Sequence, residues 1–337
     1  MKICAMPTLG IETSCDETAA AVVGTGGVVL SNVLASQARD FAVLGGVVPE
    51  MAARGQVDNM IPVLDQALRD AETGWEEIDQ IAVTHSPGLI GSLIVGRVAA
   101  ETLAFVHDKP LQQVNHLRAH VLANWLHEKG ETAPEIDFPA VALLVSGGHT
   151  QLICLTDLDN WQIIGQTRDD AAGEAFDKVG ALLGLGYPGG PAVSKTAKEG
   201  NPQAYDFPRA RLEKDSLDFS FSGLKTAVSR VVNTEGKGLS GQQLKQFQSD
   251  VAASFEAAVV DILVEKTINA ASRYNAASVL LAGGVAANKS LRARLAEACG
   301  DKFHVPKAIY CTDNAAMVGV ITRLNRLDKS SDNNIME

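Results

Sequence analysis

The chain has no Cys-x-x-Cys pair, and its five cysteines, at positions 4, 15, 154, 299 and 311, are odd in number and scattered. That sets aside a disulfide framework and a thiolate zinc site, and implies free thiols in a reducing compartment. A long apolar run is also missing. The most hydrophobic window, Leu89 to Val106, contains Arg97 and Glu101, which are costly inside a bilayer, and no apolar signal region follows Lys2. The expectation is a cytoplasmic protein with no membrane attachment. Positive charge is short as well: 29 Lys and Arg stand against 40 Asp and Glu, a formal net charge of −11. This argues against a broad electrostatic platform for nucleic acid but leaves room for a local basic patch. Lys289, Arg292, Arg294, Arg323 and Arg326 are candidates for one, with solvated helix faces as the plainer reading.

What is present is the material of a sizeable core. With 337 residues, 46% hydrophobic and 20% charged, the chain reads as globular and exceeds the usual limit for a single core, so two domains are expected. Thr8 to Thr13 and Ala19 to Val23 flank the polar turn Ser14 to Thr18, and Val28 to Ala35 follows a glycine cluster, which predicts a β-meander. Pro49 suits the first position of a helix whose apolar stripe is Met60, Ile61, Val63, Leu64, Ala67 and Leu68. Ile78 to Thr84 predicts a strand entering a glycine turn and a small-residue helix to about Val106. Pro110 to Val114 predicts a strand running into a helix that carries His116 and His120.

The same order recurs. Ala140 to Val145, His149 to Leu155 and Trp161 to Gln166 predict a second meander, followed by helices from about Asp170 and from Gln242 to Ser272. Val279 to Ala282 then enters Gly283-Gly284 and a helix from about Ala287 to Ala298. Two copies of one plan predict a duplicated, two-lobed α/β fold with a ligand cleft between lobes. The expected boundaries are an N-terminal lobe at 1–138, a C-terminal lobe at 139–327 with an insertion at about 186–240, and a polar tail at 328–337.

His116 and His120 are four residues apart, on one face of a helix, so both imidazoles can reach one ion. Chance alone gives such a pair roughly one time in eight for seven histidines in a chain this long. Asp313, at the end of the second copy's last strand, is the carboxylate symmetry offers as a third ligand; its alternative reading is the N-cap of the last helix. Two His and one carboxylate leave coordination positions open on Fe(II), Zn or Mn. A zinc peptidase needs Glu beside its first His as general base, and that position is Leu117.

Other motifs have two readings each. Gly283 to Ser290 mimics a phosphate loop but has Asn288 where glycine must precede the Lys. Asn288 is then either a contact for adenine or ribose or an ordinary N-cap. Asp170 reads as a helix cap, and Asp177 as a solvated residue or an acceptor for a ribose or an ammonium. Ser146-Gly147-Gly148 is a tight hairpin or a nest of N–H groups for an anion. Cys15 reads as a small turn residue rather than a reactive thiol, having no His or Lys beside it in sequence.

Taken together, Ile11 to Thr18, Gly45 to Glu50, His116-x-x-x-His120, Leu144 to Thr150, Ala172 to Lys178, Asp218 to Lys225 and Cys311 to Asn314 resemble the bacterial TsaD (Gcp/YgjD) family from about Thr8 to Leu324. The resemblance implies an actin-like ATPase fold of the sugar kinase and Hsp70 superfamily. It implies a transferase that moves the threonylcarbamoyl group of threonylcarbamoyl-AMP onto N6 of adenine 37 in tRNAs reading codons that start with A. It also implies a TsaB-like paralogue and a TsaE-like ATPase as partners, with tRNA as substrate.

Carried onto this chain, the resemblance makes His116, His120 and Asp313 the ligands of one divalent metal, Fe(II) in the family, with Zn or Mg as substitutes. It makes Leu144, Val145, Ser146, Gly147, Gly148, Asp177, Gly190 and Asn288 contacts for threonylcarbamoyl-AMP or ATP/ADP, and Asp16 the catalytic acid, beside Glu17. Archaeal and eukaryotic members carry Tyr at the Leu144 position, which implies a more open metal site here. Rival readings are a non-catalytic scaffold of the same fold, a sugar kinase, and a metal-dependent peptidase.

Overall fold

The computed structural model describes residues 6–209, 213 and 215–331, with the side chains of 323 and 325–331 outside that set. Cys4, the side chains of Arg323 and Arg326, and residues 332–337 of the expected tail lie outside the described residues. The chain divides into two compact units, residues 1–136 with 306–337, and residues 137–305. This differs from the expected boundaries at one end. The last helix leaves the second copy and completes the first.

In the first unit, β1 (Thr8–Glu12), β2 (Glu17–Val23) and β3 (Val28–Ser36) form the antiparallel meander. α1 (Ala38–Leu44) and α2 (Pro49–Asp70) follow, the latter with Pro49 in its first turn, where a missing N–H costs nothing. β4 (Gln80–Ser86), α3 (Ile90–Val106) and β5 (Leu111–Asn115) add parallel strands beside β1. α4 (His116–Leu122) and the short β6 (His127–Glu128) end this stretch, and the sheet order is β5-β4-β1-β2-β3-β6. One core packs Leu9, Ile11, Val22, Ile81 and Val83 against Met60, Val63, Leu64 and Ala67 of α2 and Ala100 of α3. Ile61, expected in that stripe, is 70% exposed instead: its neighbours on the 3.6-residue period already fill the buried face.

The second unit repeats the plan. β7 (Ala140–Val145), β8 (Thr150–Leu155) and β9 (Trp161–Gln166) make the meander, and α5 (Ala172–Leu182) follows. The expected insertion contains two helices, α6 (Gly189–Ala197) and α7 (Ser222–Glu235), which its polar composition hid. α8 (Gly241–Arg273) buries Phe247, Val251, Phe255, Val259 and Leu263 at four-residue spacing. β10 (Ser278–Ala282), α9 (Lys289–Cys299) and β11 (Phe303–His304) complete the sheet, in the order β11-β10-β7-β8-β9. That order matches β5-β4-β1-β2-β3 of the first unit, so the duplication is one of topology as well as sequence.

α10 (Ala316–Ser331) returns to the first unit, and glycine explains how closely it lies. A Cβ on Gly10 of β1 would sit 2.3 Å from the Ala315 carbonyl oxygen and 2.8 Å from the Gly319 nitrogen. Without it, strand and helix backbones meet, and Met317, Val318 and Val320 are fully buried. The helix continues to Ser331, past the expected start of the tail at 328. Among the described residues no helix is long and apolar enough to cross a membrane.

Candidate metal centre

β5 delivers the chain to Asn115, whose side-chain oxygen accepts the Arg118 backbone N–H at 3.1 Å and caps α4. The helix therefore starts at His116, and His116 and His120 fall one turn apart with ring centroids 4.6 Å from each other. The lead-in to α10 brings Asp313 to the pair. Its Oδ1 lies 3.1 Å from His120 Nε2 and 3.6 Å from His116 Nε2. The three ligand atoms lie within 4.8 Å of one another.

These separations suit an ion. Two ligands held at about 2.1 Å in a tetrahedral arrangement stand roughly 3.4 Å apart, close to the two carboxylate–imidazole distances. The electrostatics agree. Burial, only partly offset by its bond from Ser36, raises Glu17 to about 7, with the Asp16 and Asp313 charges adding to the rise. Asp16 is raised by burial too, and Asp313 contributes. Burial opposes charge on His116, yet the carboxylates of Glu12 and Asp313 outweigh it and push the imidazole up to about 9. Burial likewise opposes charge on Asp313, and the two histidines hold it well below the usual carboxylate range. Acids held up beside a histidine that takes up a proton are the signature of a negative site suited to a cation.

The cap expected of Asp313 falls to its neighbour: Asn314 Oδ1 accepts the Met317 N–H at 3.1 Å. Asp313 is thereby left for the histidines. Cys15 is pushed far above an ordinary thiol, by burial first and then by the Asp16 and Asp313 charges, so it stays protonated, in keeping with its reading as a turn residue.

The remaining candidates lie in the second unit. Leu144 and Val145 are fully buried in β7. Ser146 spends its backbone N–H on the His149 carbonyl at 2.8 Å, so the open part of the expected nest is Gly147 and Gly148, around which a Cβ would meet nothing within 4 Å. Asp177 accepts the Gly189 N–H at 2.8 Å and also bonds Gly190. It thus caps α6 and tethers it to α5. Asn288 caps α9 through its oxygen, which accepts the Leu291 N–H at 2.8 Å, while its amide donates to Glu256 at 2.6 Å and Ser194 at 3.0 Å. Its donors are therefore engaged inside the unit. Asp170, expected as a cap, instead binds Lys178 at 2.8 Å and Lys225 at 2.7 Å; Ala171 precedes the helix and offers no side-chain bond.

Sequence reasoning missed Glu12 and Asp169. Glu12 is a carboxylate among the buried residues Leu9 and Ile11 of β1, a contrast visible in the sequence once the strand is drawn. Asp169 accepts the Phe221 N–H at 2.8 Å and the Ser222 hydroxyl at 2.8 Å, fixing the start of α7. Its partners are more than 50 residues away, beyond any local cue.

Two similar α/β units of this strand order, one carrying a His, His and carboxylate cluster, define the class: an actin-like ATPase fold with a candidate metal centre. Comparison with solved structures gives the same fold. The chain matches T. kodakarensis HypF with a TM-score of 0.61 at 14% identity, covering 96% of this chain and 48% of that one. It matches component A of the Acidaminococcus fermentans (R)-2-hydroxyglutaryl-CoA dehydratase with a TM-score of 0.52 at 17% identity, covering 95% and 98%. Residues 28–320 match the model of the family described as TsaD, tRNA N6-adenosine threonylcarbamoyltransferase. Proteins of that name from Desulfitobacterium hafniense and Thermomicrobium roseum are 50% and 52% identical to it. The alignments cover 95% and 93% of this chain and 92% and 90% of those proteins. The chain belongs to the TsaD family.

Proposed function

We propose that the chain transfers the threonylcarbamoyl group of threonylcarbamoyl-AMP to N6 of adenine 37 in tRNAs reading codons that begin with A. In this reaction the N6 amine attacks the carbamoyl carbon, the bond from that carbon to the phosphate oxygen breaks, and AMP leaves with N6 losing a proton. The observation that carries the reading is the convergence of His116, His120 and Asp313 within 4.8 Å in a chain about half identical to such transferases over nearly its whole length.

His116, His120 and Asp313 would hold one divalent metal, which we assign as Fe(II), with Zn or Mg able to substitute. When bound, it supplies Lewis-acid polarisation of a carbonyl or phosphate oxygen. The protein's own groups do the rest. Adenine N6 is a weak nucleophile, so positioning must supply much of the rate. Asp16, raised by burial, would take the proton that N6 loses, and Glu17, at about 7, would receive it near the operating pH. The Gly147 and Gly148 N–H groups would receive the charge growing on the departing phosphate. Leu144, Val145, Asp177, Gly190 and Asn288 would act through backbone groups or by fixing helices rather than by free side-chain donors.

We assign a cytoplasmic location and a complex with a TsaB-like paralogue and a TsaE-like ATPase. In support, Val57 and Ile61 of α2 and Ile90, Ile94 and Val98 of α3 are all exposed, an apolar surface of the kind partners cover. A scaffold role is the poorer reading, since a scaffold has no use for an assembled metal cluster, and a sugar kinase mechanism has none for the His pair. The test is reconstitution with both partners, threonylcarbamoyl-AMP, ATP and tRNA, with the modified nucleoside read by mass spectrometry.

A further inference from the structure

We infer that Glu12 is a positioning residue that fixes the tautomer of His116 and so decides which of its nitrogens faces the ligand cluster. The inference rests on the metal reading given above. Glu12 ends β1 with its side chain completely withdrawn from solvent. A carboxylate kept from water must be compensated on each oxygen, and the compensation here is specific. Oε1 accepts the Ser14 backbone N–H at 2.5 Å, Oε2 accepts the Thr84 hydroxyl at 2.5 Å, and Oε2 also stands 3.1 Å from His116 Nδ1.

Two of those bonds come from groups that can only donate in this setting, the turn backbone and the Thr84 hydroxyl aimed at the carboxylate. They lock the carboxylate, which in turn acts as acceptor for His116. The Ser14 hydroxyl, 3.1 Å from the same Nδ1, can donate or accept and so follows the tautomer that the acceptor-only carboxylate sets. Nδ1 is therefore the protonated nitrogen and Nε2 is left to the cluster, 3.6 Å from Asp313. An imidazole whose far nitrogen is held by a carboxylate is both aimed and made more basic as a ligand.

Among the described residues His120 has no such partner: it is 1% exposed, its Nε2 meets Asp313, and its buried Nδ1 finds no hydrogen bond among them. The two histidines are thus unequal: His116 is the oriented ligand, and His120 is aimed by Asp313 and packing alone.

The test is Zn(II) titration of the purified full chain, comparing wild type with Glu12→Gln, together with ¹⁵N spectra of His116 in the Zn-loaded protein. Gln keeps the size and lets the Thr84 hydroxyl turn to accept. We expect Glu12→Gln to unfold at the wild-type temperature while binding Zn(II) 10- to 100-fold more weakly. We also expect Zn-loaded wild type to show His116 protonated at Nδ1 and coordinated at Nε2. Equal affinity in a folded Glu12→Gln protein overturns the inference. So does coordination of His116 through Nδ1, a readout on wild type that stands even if the variant fails to fold. Wild type that binds no Zn(II), or binds it undiminished after Asp313→Ala, would overturn the metal reading itself, which separates that failure from a failure of Glu12 alone.

Discussion

Asp313 Oδ1 meets His120 Nε2 at 3.1 Å although 193 positions separate the two residues. The cluster exists only because the chain, after building its second unit, returns to the first through α10. Removing either member should empty the centre without unfolding the unit, because His120 contributes one of many buried side chains there. His120→Ala or Asp313→Ala should lower metal affinity by about 100-fold or more, read by metal content after dialysis. Circular dichroism should stay as in wild type. His116→Ala should abolish tRNA modification with the fold likewise retained.

The return of α10 depends on backbone contact at Gly10. In Gly10→Ala the new methyl meets the Ala315 carbonyl oxygen at 2.3 Å, and backbone cannot yield as a side-chain tip can. The expected cost is about 3 kcal/mol, a fall in melting temperature of roughly 6–12 °C by calorimetry. Metal affinity should fall with it, since Asp313 rides on the same segment.

Glu17 gives a pH dependence of definite sign. Its folded value, raised to about 7 mainly by burial, lies above the ordinary 4.5, so the protonated carboxyl favours the fold. The stability it contributes is fully present below about 4.5 and is lost as pH rises towards 7. Glu17→Gln should flatten that part of the profile in urea unfolding between pH 4.5 and 8. A metal bound near Asp313 should draw the Glu17 titration downward, visible in its carboxyl ¹³C shift.

Asp169 holds the start of α7 through Phe221 and the Ser222 hydroxyl. Asp169→Ala should cost about 1–2 kcal/mol, as for loss of a helix cap, and should speed amide exchange at Phe221 and Ser222 before it affects β7 to β9. The Ser222 hydroxyl alone cannot replace it.

The duplicated plan was legible because β1 to β3 and β7 to β9 alternate with glycine turns, a local signal. The His pair was legible for the same reason, since helical spacing is written in adjacent residues. What escaped depends on distance along the chain. α6 and α7 lie in a polar stretch, and their N-termini are satisfied by Asp177 and Asp169 from elsewhere. Asp313 was foreseen as a ligand by the symmetry of the repeats, yet it reaches the site by leaving the second copy. Asn288 reads from sequence as either a nucleotide contact or a cap; it caps α9 through Leu291, and its amide bonds Glu256 and Ser194, partners that lie beyond any local cue. Glu12 passed as a strand residue because its partners Thr84 and His116 lie 72 and 104 positions away.

Threonylcarbamoyl transfer to adenine in tRNA is measured with purified chain, metal, both partners, threonylcarbamoyl-AMP and tRNA. Digested tRNA is then analysed by mass spectrometry. The modified adenosine should form at position 37 with wild type and be lost with His116→Ala. Unmodified tRNA from folded, metal-loaded wild-type protein with active partners, or equal product from His116→Ala, would contradict it.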